Sequence, residues 1–144
     1  MLRPGGCLAL TTWDTPDRAR LQGVFLEAFA VAGARTPVEL RAGPPFFRYA
    51  DERLFTELLQ DAGLMDVQVR TVAFDHEVAS PNELWDGMLG GTVRTSALLL
   101  AQPDDVRARA RAAFDRRVED YRRGDHLELP ISVKLAAGLK PTAD

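Results

Sequence analysis

The sequence predicts a mixed α/β fold. Three segments have the composition of strands: Cys7–Trp13, Val67–Val78 and a final segment that ends near Leu139. Between them lie segments in which apolar residues recur every three or four positions, as they do on one face of a helix. The resulting order of strand, two helices, strand, about three helices and strand indicates an α/β architecture.

The first strand follows a turn. Pro4 stops a helix, and Gly5 and Gly6 permit positive φ angles. Because residues 7–10 are all apolar, we expect a strand that is covered on both faces, with Cys7 buried as a small hydrophobic residue. Asp14 to Asp17, with a proline between them, is predicted to begin the first helix.

The helices have clear boundary signals. The apolar positions of the first are Leu21, Val24, Phe25, Ala28, Phe29 and Ala32, and Gly33 ends it. A loop over 34–45 follows. Asp51 is expected to cap the second helix, which Gly63 ends. Ser80 and Glu83 have the spacing of a capping box, which opens a helical insert or lid over residues 79–126.

The last strand alternates between apolar and polar residues from Leu127 to Leu135. Its polar positions are Glu128, Pro130, Ser132 and Lys134. This period of two is typical of a half-buried strand. Because proline cannot donate to a strand ladder, we expect the strand to form only after Pro130.

Composition limits the classes of function. The chain of 144 residues fits one domain, 1–144, and its net charge of -3 argues against a nucleic-acid partner. A single cysteine, Cys7, permits no internal disulfide and favours a cytoplasmic protein. No apolar run approaches the roughly 20 residues of a membrane span, so no membrane partner is expected.

Two segments resemble class I S-adenosylmethionine (SAM) dependent methyltransferases. Leu2–Gly6, with the letters LRPGG before an apolar strand, is similar to the segment before the fifth strand of that family. Leu54–Leu64, with the letters LFTELLQDAGL, is similar to the helix before its sixth strand. The subgroup it resembles is the small-molecule type of ubiquinone and menaquinone biosynthesis. The resemblance implies the C-terminal portion of a Rossmann-like sheet, whose last strand, Ile131–Leu139, runs antiparallel between the other two.

The family's cofactor-binding segment has no counterpart here. In that family a Gly-rich loop after the first strand approaches SAM, and an acidic residue after the second holds its ribose. This chain has no E/D-x-G-x-G and no G-x-G-x-x-G motif. SAM is therefore expected for the intact family fold but not for this chain alone. The chain is expected to be truncated or mis-started at Met1, or to be a dissected piece of a larger enzyme.

The resemblance implies a set of substrate-binding residues, because the regions after the fifth and sixth strands form the family's substrate lid. These residues are Thr12, Trp13, Phe46, Phe47, Arg48, Trp85, Arg94 and Thr95. Each has an alternative interpretation. The tryptophans can serve as packing, Phe46 and Phe47 as a plug under a loop, and Arg94 as an ordinary surface residue. No catalytic residue and no metal ligand is assigned.

Three functional hypotheses remain open from the sequence. The first is a methyltransferase lineage acting on a small molecule and inactive as this isolated chain. The second is a non-catalytic module that binds a small molecule or dimerises. The third uses the Arg-rich segment Arg107–Arg123 as an anion or nucleic-acid patch, against the simpler interpretation of a solvated helix face.

An apolar strand without its family neighbour also predicts a partner. If the strand at residues 7–13 lacks a neighbour on one side, its backbone groups stay unpaired there. We therefore expect a homodimer, or a higher oligomer, through the exposed edge of this strand or through exchange of an element.

Overall fold

A computed structural model describes residues 2–38 and 45–142. Residues 1, 39–44 and 143–144 lie outside the described part, and with them most of the second half of the predicted loop over 34–45. The strands are β1 (Cys7–Trp13), β2 (Met65–Val78), β3 (Arg122–Arg123) and β4 (His126–Leu139). The helices are α1 (Arg20–Ala32), α2 (Glu52–Asp61), α3 (Pro81–Gly91), α4 (Val93–Leu100) and α5 (Asp104–Val118).

The sheet has its last strand in the middle. The order is β1-β4-β2, and the short β3 pairs with β4. β4 runs antiparallel to β1, in a register that sets Cys7 opposite Leu139 and Trp13 opposite Val133. The predicted mixed α/β class is thus confirmed, as is the antiparallel direction of the final strand relative to the first.

The chain forms two compact units. The first comprises residues 1–19, 43–74 and 132–144, and the second comprises residues 20–42 and 75–131. The predicted insert over 79–126 falls within the second unit, which also contains α1. Each unit has a hydrophobic core of its own.

The core of the second unit is built around aromatic rings. Phe25 of α1 lies 4.6 Å from Phe114 of α5 and 5.5 Å from Trp85 of α3, measured between ring centroids. Phe25 and Phe114 are almost completely buried. Since aromatic pairs add to the free energy of burial, this trio fixes how α1, α3 and α5 pack. The apolar stripe predicted for the first helix provides its side of this core.

The core of the first unit is smaller. Phe55 and Leu59 of α2 pack with Leu64 and with Ala136 of β4. Asp51 caps α2 by accepting a hydrogen bond from the Leu54 N–H, as predicted. The predicted capping box of α3 is also present: Ser80 accepts from the Glu83 N–H at 3.1 Å, and the Glu83 carboxylate accepts from the Ala79 N–H at 2.8 Å.

The prediction that β1 is covered on both faces was wrong. Cys7, Ala9 and Leu10 are exposed, and Cys7 is a free thiol at the surface. The reason is the place of β1 at one edge of the described sheet, where β4 is its only paired neighbour. An apolar sequence does not distinguish such an edge strand from a central one.

The start of β4 was also predicted wrongly. The strand begins at His126 and not after Pro130. Its ladder with β3 ends at Leu127, and its ladder with β1 begins at Val133. Pro130 lies outside both ladders, so neither requires the N–H group that proline lacks.

The start of α1 differs from the prediction as well. The helix begins at Arg20 and not within Asp14–Asp17; residues 16–18 form a turn before it. Asp14 is instead buried, with only 2% of its surface exposed.

Two glycines test the role of backbone conformation. Gly63, after α2, has a φ of 79°, whereas Gly87 lies inside α3; an added methyl group meets no atom within 4 Å at either position. We expect Gly63→Ala to destabilise the protein by about 1 kcal/mol, because it forces alanine into the left-handed region. We expect Gly87→Ala to stabilise it by about 0.5–1 kcal/mol, because it removes chain entropy from the unfolded state. Urea unfolding measures both, and equal effects of the same sign would contradict this account.

Candidate functional site

The most unusual feature of the first unit is a set of polar side chains around a buried lysine. Lys134 of β4 is only 5% exposed, and the neighbouring Ser132 only 3%. We call these two residues, together with Asp14, Glu52 and Thr71, the Lys134 cluster. A buried ammonium group requires compensation by charges and hydrogen bonds.

The Lys134 ammonium has three oxygen neighbours. Its Nζ donates to Glu52 Oε1 at 2.8 Å and to Thr71 Oγ1 at 2.7 Å. The third neighbour is Asp14 Oδ2, at 3.9 Å. Glu52 is the first residue of α2 and Thr71 belongs to β2, so the lysine links one helix and two strands through its head group.

Asp14 is the second buried charge of the cluster. Its Oδ2 accepts from the Ser132 hydroxyl at 2.7 Å, and its Oδ1 accepts from the Thr15 N–H at 2.9 Å. Burial by itself raises the pKa of this carboxyl, but the Ser132 and Thr15 hydrogen bonds and the positive charges of Lys134 and Arg18 outweigh it. The net result is a lowered pKa, which keeps Asp14 ionised at neutral pH.

Glu52 lies at the solvent side of the cluster. Its side chain is 56% exposed, against 7% for that of Lys134. The hydrogen bond and the charge of Lys134 lower the pKa of the Glu52 carboxyl. Both carboxylates are thus held in the charged form that balances the lysine.

The cluster holds the end of β1, where two predicted substrate residues lie. Thr12 is opposite Lys134 and Trp13 is opposite Val133 in the antiparallel ladder. Because residues directly opposite each other share a sheet face, Thr12 lies on the Lys134 face and Trp13 on the other. Both are half-buried. The Asp14 N–H donates to the Ser132 carbonyl at 3.0 Å and continues the ladder beyond Trp13.

Three other predicted residues are consecutive, Phe46, Phe47 and Arg48, and belong to the first unit. The rings of Phe46 and Phe47 meet edge to face at 5.0 Å, and Phe46 is 56% exposed. The Arg48 guanidinium lies 5.6 Å from the centre of the Tyr49 ring. These residues form a local surface group of aromatic and cationic character.

The remaining predicted residues belong to the second unit. Trp85 is buried in its core, where the Arg111 guanidinium lies 5.0 Å from the centre of the indole ring. Arg94 is exposed and Thr95 is half-buried, both in α4. The environment of Trp85 matches the packing role that the sequence left open.

The Arg-rich segment is largely compensated by carboxylates. Ion pairs join Arg107 to Asp104, Arg109 to Asp105, Arg111 to Asp115, Arg117 to Glu27 and Arg122 to Glu119, at 2.6–2.9 Å. Such pairing leaves fewer cations for an anionic partner and favours the interpretation of a solvated helix face.

A metal site, a membrane span and an apolar groove each have their own requirements of the described residues. Within the described residues, no group of three or more His, Cys, Asp or Glu side chains could hold a metal ion. None of the described helices is both long and apolar enough to cross a bilayer. An apolar groove in the first unit is lined by Leu2, Leu8, Ala62, Gly63, Leu64, Lys140 and Pro141, and none of the predicted site residues lines it.

Sequence reasoning missed the Lys134 cluster. Ser132 and Lys134 occupy polar positions of an alternating strand, a pattern that usually leaves such residues in water. From Ser132 onward, however, the even-numbered residues of β4 are buried. The available signal is the position of Asp14 directly after a strand, which is equally typical of a helix start.

Neither a family model nor a curated protein matches this chain.

The first prediction for this site concerns Lys134. Lys134→Ala removes the hydrogen bonds to Glu52 and Thr71, whereas Asp14 keeps Arg18 at 3.6 Å, so we expect it to lower the free energy of unfolding by about 2–3 kcal/mol. Lys140→Ala is the matched control. Its amine donates a single hydrogen bond, to the Leu2 carbonyl, so we expect a loss of about 1 kcal/mol. Equal losses in urea unfolding would show that the cluster has no special role.

The second prediction concerns acid. Since the pKa of Asp14 is lower in the folded state than in the unfolded state, its stabilisation is complete above the unfolded pKa of about 3.9. That stabilisation is lost as the pH falls through the folded pKa. We expect Asp14→Asn to be less stable than the wild type at pH 7 and to lose less stability on acidification.

The control for the acid prediction is Asp86→Asn, at an exposed residue of α3. Urea unfolding from neutral to strongly acidic pH should give Asp86→Asn the wild-type slope. A wild-type slope in Asp14→Asn as well would contradict the assignment.

Proposed function

We propose that this chain is the C-terminal portion of a class I SAM-dependent methyltransferase lineage that acts on a small molecule. One observation carries the proposal: the last strand, β4, lies between β1 and β2 and runs antiparallel to β1. That is the order which the family resemblance predicts for its fifth, seventh and sixth strands. A Rossmann-like assignment of the sheet is part of this proposal.

The two family-like segments occupy fitting places in the fold. In LRPGG, Gly5 has a φ of 71° and the Gly6 N–H donates to the Arg3 carbonyl at 2.9 Å, which forms the turn before β1. In the second segment, Gly63 ends α2 and leads into β2. Both motifs thus lie at the entry to a strand, which supports the lineage.

The residues present do not fit SAM. A SAM loop needs glycines after a strand, so that the backbone can approach the cofactor near a helix N-terminus. Here Gly5 and Gly6 precede β1, and Gly90 and Gly91 end α3. We therefore assign no step through the cofactor to this chain. Its contribution is to bind and align the methyl acceptor, the small molecule that receives the methyl group. Such alignment is most of what methyl transfer requires of a protein.

Trp13 is the central residue of the proposed binding surface for the methyl acceptor, which we call the acceptor wall. Ligands of α/β sheets bind beyond the carboxyl ends of the parallel strands, and Trp13 ends β1. Thr12 lies on the opposite face of β1, so within the first unit the proposed wall consists of Trp13 and the surface group Phe46–Arg48. The single cysteine and the net charge of -3 favour a cytoplasmic protein without a nucleic-acid partner.

A second candidate is a non-catalytic module that binds a small apolar molecule. The groove lined by Leu2, Leu8, Leu64 and Lys140 favours it, because apolar walls with one ammonium group suit an apolar anion. The Lys140 ammonium is bonded to the Leu2 carbonyl, so it lies fixed at that groove.

Calorimetric titration with SAM and with its demethylated product tests the proposal that this chain alone does not bind the cofactor. We expect no binding to the isolated chain. Micromolar binding would contradict our assignment and show that the chain forms a cofactor site by another route. A naphthoquinol, chosen from the acceptor class of the resembling subgroup, tests the acceptor wall in the same instrument.

The acceptor titration separates the two candidates. Trp13→Ala should weaken naphthoquinol binding about tenfold or more if Trp13 forms the wall, since a lost aromatic contact costs on that order. Leu8→Ala should weaken it instead if the groove is the site. Val93→Ala, at a residue that is 87% exposed in the second unit, is the matched control for a surface apolar loss. Binding unaffected by Trp13→Ala would overturn the proposed wall.

A further inference from the structure

The open edge of β1 has the features of a protein interface. β4 is the only strand that pairs with β1 in the described sheet. The bonds at the two ends of that ladder fix its phase: the Lys140 N–H donates to the Gly6 carbonyl, and the Asp14 N–H donates to the Ser132 carbonyl. Even-numbered residues of β1 therefore exchange bonds with β4. Odd-numbered residues direct their backbone groups to the open side.

The two edge strands of the sheet differ in how well they are protected from pairing with another chain. Natural edge strands carry charges, prolines or bulges that discourage pairing with another chain. β1, with the letters CLALTTW, has none of these charges or prolines, and Leu10 at its centre is 38% exposed. β2 at the opposite edge carries Asp66, Arg70, Asp75, His76 and Glu77. Of the two, β1 is the edge open to pairing.

We propose that β1 pairs with β1 of a second copy of this chain, antiparallel and about a two-fold axis at Leu10. This interface rests on the open edge of β1 in the described sheet. The axis at Leu10 uses all seven residues of the strand. It sets Ala9 opposite Thr11 and Cys7 opposite Trp13 of the other copy, so that the odd-numbered residues exchange backbone bonds across the axis.

Charge supports the antiparallel direction and a partner of the same kind. Exposed Arg3 precedes β1 and exposed Asp17 follows it, and the charge of the neighbouring Arg18 is balanced by Asp14, 3.6 Å away. Antiparallel pairing brings the Arg3 end of each copy towards the Asp17 end of the other, whereas parallel pairing would bring like charges together. A strand edge of seven residues is small for an interface, so we expect a reversible dimer that forms with rising concentration.

The register makes a sharp prediction for cysteine cross-linking. Leu10 and its copy form a non-hydrogen-bonded pair, for which the Cα atoms lie about 4.5 Å apart, within the range of a disulfide. Thr11 and its copy are two residues out of register, beyond the limit of roughly 7 Å. In a Cys7→Ser background we expect Leu10→Cys to form a covalent dimer on oxidation. Thr11→Cys, one residue away and also exposed, should form no covalent dimer under the same oxidation.

Two further measurements test the proposal even if the Leu10→Cys variant does not fold. Sedimentation of the wild-type chain should show a dimer that increases with concentration, and Thr11→Lys should abolish it by adding charge to the edge. Gln68→Lys, which adds the same charge to the β2 edge, should leave it unchanged. A wild-type chain that stays monomeric, equal cross-linking of Leu10→Cys and Thr11→Cys, or dimer loss in Gln68→Lys would each overturn the proposal.

Discussion

The pairing of β4 with β1 is the constraint on which the first unit depends. Seven consecutive residue pairs join the first strand of the chain to the last, from Cys7 with Leu139 to Trp13 with Val133. This contact spans almost the whole sequence, so a large loop-closure entropy opposes it. The Lys134 cluster offsets part of that cost at one end of the ladder, where Asp14 bonds to Ser132 through both its backbone N–H and its side chain.

Local signals were sufficient for much of the fold. Asp51, Ser80 and Glu83 cap their helices as predicted, because a cap depends on residues within one turn. Gly33 and Gly63 end helices with positive φ for the same reason. The spacing of Val24, Phe25, Ala28 and Phe29 likewise identified the buried side of α1.

The failures have a common physical cause. Whether an apolar strand is central or at an edge depends on what pairs with it, and nothing within Cys7–Trp13 states that. Lys134 was not identified because the alternation of β4 specifies two faces but not which one is buried, and here the polar face is covered. A buried lysine is stable here only because carboxylates from distant segments compensate its charge. Asp14 and Glu52 lie far from residue 134 in sequence, so local reasoning cannot find them.

The same cluster links stability to the proposed acceptor site. Thr12 and Trp13 lie at the end of β1, next to the Lys134 cluster. Their side chains are on opposite faces of the strand. On the Thr12 face the charges of the Lys134 cluster are compensated, and no buried side-chain nitrogen or oxygen among the described residues lacks a hydrogen-bond partner. The Trp13 face has only apolar neighbours from β4, Val133 and Leu135. An apolar ligand therefore has one face available to it at this strand end, which is why the Trp13 side, and not the lysine, is the place to look for an acceptor.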